Sequence, residues 1–351
     1  MVQTRRTAAA AAAVAAATAS ANDDNNKNKA TASGTLSPTP TPTPPTKATT
    51  TATSATTTKN NARFNAEAAA WDSNPFIQAM SAEAWRAVQH HVTCFRDSSD
   101  AAGPAARPDV LEIGCGTGTL SLLVAPHARL LVAVDAAEGM VEVLRAKLAD
   151  HAQANKADED AEGESGENRQ KEKEKSRMPK KDFRNVVPIC VMLEDPEDPN
   201  LPPGTQQQEQ QEPEPEQEAG GRPDRIKFDL VLSHLVLHHI PDMAPVLRTM
   251  LGCLKPGGAV ALTDFEDFGP AARKFHPEGK MDGVERHGIE KTRMRQLMRE
   301  VGFADVRVEV AWTARKSVEK FPGEFGSKAE GGEGMGEDME FPFLICTGKR
   351  P

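Results

Sequence analysis

A glycine-rich turn is the stretch of this sequence best suited to hold a ligand. It follows an apolar segment that contains Glu112, and its glycines stand at alternate positions, Gly114, Gly116 and Gly118. Without Cβ atoms the chain can turn sharply there and a ligand can approach the backbone. Dinucleotide sites use G-x-G-x-x-G, which would place the third small residue at Thr119, whereas this chain has G-x-G-x-G preceded by an acid.

A carboxylate ends the next apolar segment, RLLVAVD. Asp135 lies seventeen residues after Gly118. A carboxylate at this place can accept two hydrogen bonds from ribose hydroxyls, which both dinucleotide and adenosylmethionine sites require. The alternative is a cap on the helix that carries Met140. Together with the glycine turn, Asp135 predicts a ligand that contains a nucleoside.

The elements that must position these residues are strands and helices in alternation, after two helices broken near Asn74-Pro75. This order predicts right-handed βαβ units and a mostly parallel sheet, in which ligands bind at the carboxyl ends of the strands. The glycine turn and Asp135 both follow strands, so we expect them at one edge. The predicted strands are apolar runs: DVLEIG, RLLVAVD, VVPICVML, KFDLVLS, AVALTDF, ADVRVEVAW and FPFLICTG.

The composition limits how much of the 351 residues folds. Only 38% are hydrophobic and 5% aromatic, and tyrosine is absent. Low-complexity or highly charged segments cannot bury enough apolar surface to offset the entropy of ordering. We therefore predict a disordered tail at 1–62 and a single domain at 63–351, with disordered insertions at about 151–181, 204–224 and 326–340.

Charge and cysteine usage exclude several partners. The net charge of −9 gives no reason to expect binding to nucleic acid or to an anionic membrane. The five cysteines are widely spaced, which fits free thiols and predicts no metal site. No apolar run approaches the length of a membrane span. We expect a cytoplasmic protein, with a mitochondrial one as the alternative, because the N terminus is rich in Ala and Thr, contains Arg and lacks acids before Asp23.

Four motifs in succession resemble the signatures of class I S-adenosylmethionine-dependent methyltransferases: VLEIGCGTGTLSLLVAP, VAVDAAEGM, FDLVLSHLVLHHI and LKPGGAVALTDFE. FNAEAAAWD also resembles the F-D-x-x-A-x-x-W-D opening of small-molecule members of the methyltransferase type 11/12 kind, with Asn65 in place of the Asp. The resemblance implies a Rossmann-like α/β fold. Its doubly wound, mostly parallel sheet would have seven strands, with the last antiparallel and helices on both faces.

The resemblance also implies S-adenosyl-L-methionine as the cofactor. The acid and the glycine turn would line its methionine part, Asp135 would hold the ribose, and Trp71 and Asp72 would form part of a lid. Many relatives end the third strand with an Asp that binds the adenine amine. This chain has Met192 there, so Glu194 or Asp195 would substitute. The cofactor-binding positions predicted in this way are Glu112, Gly114, Cys115, Gly116, Thr117, Gly118, Asp135, Ala136, Met140, Glu194 and Ser233.

Histidine is the side chain best suited to remove a proton from a methyl acceptor near neutral pH. His234 ends the fourth strand and is expected to face the reactive methyl group. His276 and His287 lie where relatives cover the acceptor, with exposed loop histidines as the alternative. These three are the predicted catalytic candidates. His238 and His239 are expected to help shape the site, with packing, capping or a direct catalytic role as the alternatives. Asp264 and Glu266 could orient an acceptor, accept its proton or cap a loop.

The leading functional hypothesis is methyl transfer to a small molecule by in-line displacement. The sulfonium of the donor is an activated leaving group, so positioning alone can accelerate the reaction. The alternatives are a protein or RNA methyltransferase, a regulatory domain that binds the donor without transfer, and an NAD(P)-dependent oxidoreductase. The sequence identifies neither the acceptor nor the oligomeric state.

Overall fold

A seven-stranded sheet forms the centre of the protein in the computed structural model, which describes residues 50–95, 103–163, 182–204, 224–326 and 334–351. The strand order is β3-β2-β1-β4-β5-β7-β6. The pairs from β3 to β5 are parallel, and β7 is antiparallel to both β5 and β6. The predicted fold class is therefore confirmed. The strands are β1 Asp109–Ile113, β2 Leu130–Asp135, β3 Val186–Cys190, β4 Phe228–His234, β5 Leu254–Phe265, β6 Ala304–Val318 and β7 Glu337–Lys349.

Six α-helices lie in the described ranges. Asn74 caps the second helix with a side-chain hydrogen bond, and Pro75 starts it, which explains the predicted break because proline fits the first turn of a helix. The helices are α1 Thr50–Trp71, α2 Pro75–His91, α3 Ser121–Val124, α4 Glu138–Gly163, α5 Met243–Cys253 and α6 Lys291–Val301. No helix in these ranges is both long enough and apolar enough to cross a membrane.

Successive residues of a strand point to opposite faces of the sheet, so each strand contributes to two cores, one on each face. Leu111 and Val132 belong to a core completed by α5 and α6, whereas Val110 and Leu131 belong to a core completed by α2 and α4. Because both faces of the central strands are covered, these strands are mostly apolar, as is typical of parallel sheets.

The secondary structure extends into segments predicted to be disordered. The helix α1 starts at Thr50, inside the predicted tail, and α4 continues to Gly163, inside the predicted insertion at 151–181. Residues 151–163 are rich in Ala, Glu, Asp and Lys, most of which favour helix, so a packed helix can continue into solvent. Strand β7 likewise starts at Glu337, inside the predicted insertion at 326–340. The rest of the tail and the insertions falls mostly outside the described residues.

Candidate functional site

A cavity at the carboxyl edge of the sheet has a volume of about 600 Å³ and is called the larger cavity below. Residues at or just after the ends of β1, β2, β3 and β4 line it, and Phe64 and Trp71 of α1 cover it. This is the edge at which the sequence places a ligand. Of the predicted cofactor-binding positions, the larger cavity is lined by Glu112, Gly114, Cys115, Gly116, Asp135, Ala136, Met140 and Glu194.

The glycine turn takes backbone conformations that only glycine adopts readily. Gly114, Gly116 and Gly118 have φ angles of 78°, 53° and 82°. A Cβ atom at Gly114 would overlap Val236, and one at Gly118 would overlap Leu144, so these two glycines are needed for packing. A Cβ atom at Gly116 would meet no protein atom within 4 Å. Gly116 therefore leaves open space in the wall of the larger cavity.

Asp135 holds the glycine turn and the start of α4 together. Its Oδ2 accepts a hydrogen bond from the Gly116 N–H and its Oδ1 accepts one from the Ala137 N–H, both at 2.8 Å. Burial raises the pKa of Asp135, against the opposing effect of these hydrogen bonds. Each oxygen keeps a further lone pair for a hydroxyl donor. The predicted ligand role and the predicted capping role are thus geometrically compatible.

Glu112 is a buried acid beside the glycine turn. Its Oε2 accepts a hydrogen bond from Ser121 Oγ at 2.6 Å, and its residue is 1% exposed. Burial raises the pKa of Glu112 to about 8, and the nearby charge of Asp135 adds to the increase. A ligand with a positive group near this carboxylate would be favoured, because it would stabilise the ionised form.

Three predicted cofactor positions do not line the larger cavity. Ser233 Oγ donates a hydrogen bond to the Ile113 carbonyl at 2.8 Å and ties β4 to β1. Thr117 Oγ1 donates to Asp72 Oδ1 at 2.6 Å. Gly118 packs against Leu144. These three residues contact neighbouring parts of the protein and stabilise the strand ends and the glycine turn.

A second cavity of about 500 Å³, called the smaller cavity below, adjoins the larger one. The two cavities share several wall residues and so lie side by side. Aromatic rings, three histidine side chains and the cations Arg63, Lys280 and Lys316 surround the smaller part. The shared wall residues are Phe64, Trp71, Ile77, Leu235 and His239. Among them Leu235 has a positive φ of 57°, a strained conformation of the kind that is concentrated at functional sites.

A buried pair formed by a histidine and a carboxylate lies at the smaller cavity, and only the histidine lines it. His238 Nδ1 lies 2.9 Å from Asp264 Oδ1 and 3.0 Å from Oδ2, and both residues are 2% exposed. The Asp264 carboxylate also accepts hydrogen bonds from the His238 and Phe265 backbone N–H groups. Asp264 therefore orients His238 and does not contact either cavity. His238 is not among the catalytic candidates that the sequence predicts.

Two further histidines lie next to His238. The His239 ring centroid is 3.9 Å away and that of His276 is 5.1 Å away, and all three residues line the smaller cavity. His239 Nδ1 lies 2.8 Å from the Gly283 carbonyl. His276 Nδ1 is buried without a hydrogen-bond partner. Burial is the main cause that lowers the pKa of both His239 and His276, and the neighbouring His238 adds to it.

The other two predicted catalytic candidates take different positions. His234 lines the larger cavity, with Nδ1 2.8 Å from Thr263 Oγ1 and Nε2 buried without a hydrogen-bond partner. Burial lowers the pKa of His234 to about 4. His287 lines neither cavity. Of the three predicted catalytic candidates, His276 and His234 therefore lie at the two cavities and His287 lies outside them.

The helix α1 acts as a cover that is fastened on two sides. On one side Asn65 Oδ1 accepts from the Gly139 N–H at 2.8 Å, at the start of α4. On the other, Arg63 Nη1 donates to the Lys280 carbonyl at 3.1 Å. At the end of the helix, Asp72 binds Thr117 and forms an ion pair with Lys147. Trp71, one of the two predicted lid residues, lines both cavities, and Asp72 follows it directly.

Several site residues carry no signal in the sequence because only the fold brings them together. Arg63, Lys316 and Phe275 line the smaller cavity from three distant segments. For His238 and Asp264 the sequence did contain a signal. His238 follows β4, Asp264 lies at the end of β5, and the carboxyl ends of these neighbouring parallel strands meet at one edge of the sheet.

Comparison with known proteins gives one family match. The model of a family described as a methyltransferase domain matches residues 85–308. No curated protein matches the sequence.

Solved structures resemble the chain at low identity. A SAM-dependent methyltransferase from Thermotoga maritima, described as a possible histamine N-methyltransferase, is 14% identical over 82% of this chain and 98% of its own, with a TM-score of 0.43. The N-methyltransferase NodS from Bradyrhizobium japonicum WM9, solved with S-adenosyl-L-homocysteine, is 16% identical over 84% and 99%, with a TM-score of 0.41. Phosphoethanolamine N-methyltransferase 2 from Haemonchus contortus, solved with S-adenosyl-L-methionine, is 14% identical over 70% and 49%, with a TM-score of 0.38.

Proposed function

Because the chain belongs to the methyltransferase domain family and uses S-adenosyl-L-methionine, we propose that it transfers the methyl group to a small molecule held in the smaller cavity. One observation carries this proposal: the larger and smaller cavities adjoin and share five wall residues. A donor in one cavity and an acceptor in the other would therefore lie next to each other. Volumes of about 600 and 500 Å³ are in the range of small-molecule sites.

The residues of the larger cavity fit the donor. The open space beside Gly116 lets a ligand lie against the backbone. Asp135 offers a lone pair on each oxygen to ribose hydroxyls. The buried Glu112 would be stabilised by a positively charged group. Met140, Met192 and Leu193 form an apolar wall suited to a flat base.

The donor supplies an activated methyl group on a sulfonium, and the protein contributes position and the exclusion of water. Phe64 and Trp71 cover the junction of the two cavities. His234 lies at the end of β4 in the larger cavity and is kept neutral near pH 7, since its pKa is about 4. A neutral imidazole there can accept a proton or a hydrogen bond from the acceptor.

The smaller cavity suits an acceptor with an aromatic or apolar body and an anionic or polar end. Phe76 and Phe275 present rings, and Lys316 Nζ lies 4.4 Å from the ring centroid of Phe76. Arg63 and Lys280 add positive charge at the same cavity. A flexible macromolecular substrate would have to pass beneath α1, which is fastened at Asn65 and Arg63.

The test is a transfer assay with methyl-labelled S-adenosyl-L-methionine and a cell extract separated into small-molecule and polymer fractions. We expect label in the small-molecule fraction. The matched controls are Asp135→Ala, which should abolish most labelling, and the exposed Asp182→Ala, which should not. Label confined to protein or RNA would favour a macromolecular methyltransferase. Donor binding without any transfer would favour a regulatory domain.

A further inference from the structure

Three histidines from two loops converge at the inner end of the smaller cavity. We propose that His238, His239 and His276 form a binding site for a divalent transition metal of the zinc type, with one coordination position open to the smaller cavity. One ring nitrogen of each histidine lies within 4.8 Å of one from each of the other two. Four-coordinate zinc needs ligand nitrogens roughly 3.3 Å apart, given Zn–N distances near 2.0–2.1 Å. Small side-chain rotations would bring the ring nitrogens from within 4.8 Å of one another to this shorter separation.

The surroundings fix two of the rings in the way that metal ligands are usually fixed. His238 presents Nδ1 to the buried Asp264 carboxylate, and His239 presents Nδ1 to the Gly283 carbonyl. Each ring therefore keeps Nε2 for another partner. A carboxylate or carbonyl bonded to the second ring nitrogen sets the tautomer and strengthens the ligand. Asp264 also accepts a hydrogen bond from the His238 backbone N–H, so one carboxylate fixes both the backbone and the ring of His238.

The remaining ring, His276, has a buried polar atom that the protein leaves without a partner. Its Nδ1 has no hydrogen-bond partner, and unpaired buried polar groups are costly. A metal ion bound by all three histidines would give each ring a partner at the cluster.

The cations that line the same cavity have partners of their own. Arg63 donates to the Lys280 and Asp282 carbonyls and pairs with Glu67, and Lys280 Nζ lies 2.5 Å from Glu67 Oε1. Lys316 Nζ lies over the Phe76 ring. The buried Asp264 supplies negative charge directly behind His238. Glu67 and Asp264 thus offset part of the charge that a dication would meet.

The ligand set determines the class of metal. Three imidazoles suit Zn²⁺ and related transition metals, whereas Mg²⁺ and Ca²⁺ prefer oxygen ligands. All three histidines line the smaller cavity, so a fourth ligand would come from its contents. If the smaller cavity holds the acceptor, as proposed above, an acceptor oxygen or nitrogen would take that position. Only this last step depends on the proposed function.

The test is an equilibrium titration of chelator-treated full-length protein with Zn²⁺ in competition with a chromophoric chelator. We expect one tightly bound equivalent. The variant His276→Gln should lose it, and Asp264→Asn should weaken it by about 10- to 100-fold through loss of ring orientation. The control is His90→Gln/His91→Gln, which removes a surface histidine pair that stands beside Glu309. This control should retain the tight equivalent.

A second readout uses Co²⁺, whose visible spectrum distinguishes a four-coordinate nitrogen site from binding to cysteine thiolates. Each variant is checked by circular dichroism, and His239→Gln replaces His276→Gln if the latter does not fold. Absence of a tight equivalent, or its retention in the folded cluster variants, would overturn the metal site. The titration needs neither donor nor acceptor, so its failure is separate from failure of the labelling assay.

Discussion

Two buried carboxylates distinguish the glycine turn from an ordinary strand-to-helix connection. Glu112 and Asp135 lie in the same wall, and the pKa of each is raised mainly by burial. In the absence of a ligand, keeping both ionised is costly because like charges repel in a weakly polar setting. Their hydrogen bonds to Ser121, Gly116 and Ala137 fix their positions. The site is thus built before the donor arrives.

The raised pKa of Glu112 predicts that the ligand-free protein loses stability as pH rises. The pKa is about 8 in the folded chain, against 4.5 for an unperturbed glutamate side chain such as the unfolded chain presents. The folded state therefore holds a proton that the unfolded state releases, and its stabilising effect is complete below pH 4.5 and lost as pH rises to about 8. The loss amounts to at most roughly 5 kcal/mol at about 1.36 kcal/mol per pH unit.

The variant Glu112→Gln should remove this pH dependence, since Gln is neutral and its oxygen can still accept from Ser121. Urea unfolding between pH 5 and pH 8.5 measures the effect. Equal slopes of stability against pH for the variant and the wild type would show that Glu112 is not protonated in the folded protein.

The predicted ribose contact is tested by Asp135→Ala. The loss of hydrogen bonds to a charged acceptor should weaken S-adenosyl-L-methionine binding by roughly 2 to 4 kcal/mol. Isothermal titration calorimetry measures the affinity, and urea unfolding separates this effect from loosening of the Gly116 and Ala137 contacts. Unchanged affinity would contradict the ribose assignment.

At the scale of elements, the sequence predicts the central strands well and the periphery less well. Strands β1, β2 and β4 are short apolar runs bounded by clear turns, so their positions follow from pattern alone. The β6–β7 hairpin continues to the Val318 and Glu337 pair through polar residues, which carry no such signal. The histidine cluster depends on how two loops fold over the sheet edge, and spacing in one sequence does not contain that information.

The turn between β1 and α3 predicts a specific effect of Gly116→Ala. The added methyl group would enter the open space of the larger cavity, and the φ of 53° would cost about 1 kcal/mol of stability. Donor affinity should therefore fall by more than stability does. Gly257→Ala is the matched control, because Gly257 has a φ of 78°, also meets no atom within 4 Å and lies away from both cavities.

Equal donor affinities in the two alanine variants would show that the space beside Gly116 is not occupied by the donor. Calorimetric titration measures the donor affinities. Thermal unfolding measures the loss of stability that a positive φ causes in both variants.

At the scale of the whole molecule, the two chain ends that flank residues 205–223 lie side by side. Pro203 and Arg225 form an antiparallel bridge, and the Gly204 N–H donates to the Asp224 carbonyl at 2.8 Å. A connection of any length between Gly204 and Asp224 can therefore close at this point. Neither end lines the larger or the smaller cavity. The net charge of −9, much of it carried by such segments, accordingly gives no information about the substrate.

Replacement of residues 205–223 by Asn-Gly, a sequence that favours a tight hairpin turn, should leave the fold and donor binding intact. The shorter loop loses less entropy on closure, so the free energy of unfolding should rise by roughly 1 to 2 kcal/mol. Urea unfolding and calorimetric titration with S-adenosyl-L-methionine measure the two quantities, and a chain with residues 205–223 scrambled is the control for composition. A fall in donor affinity confined to the shortened chain would mean that this insertion contributes to the site, and that the domain cannot be reduced to its sheet and helices.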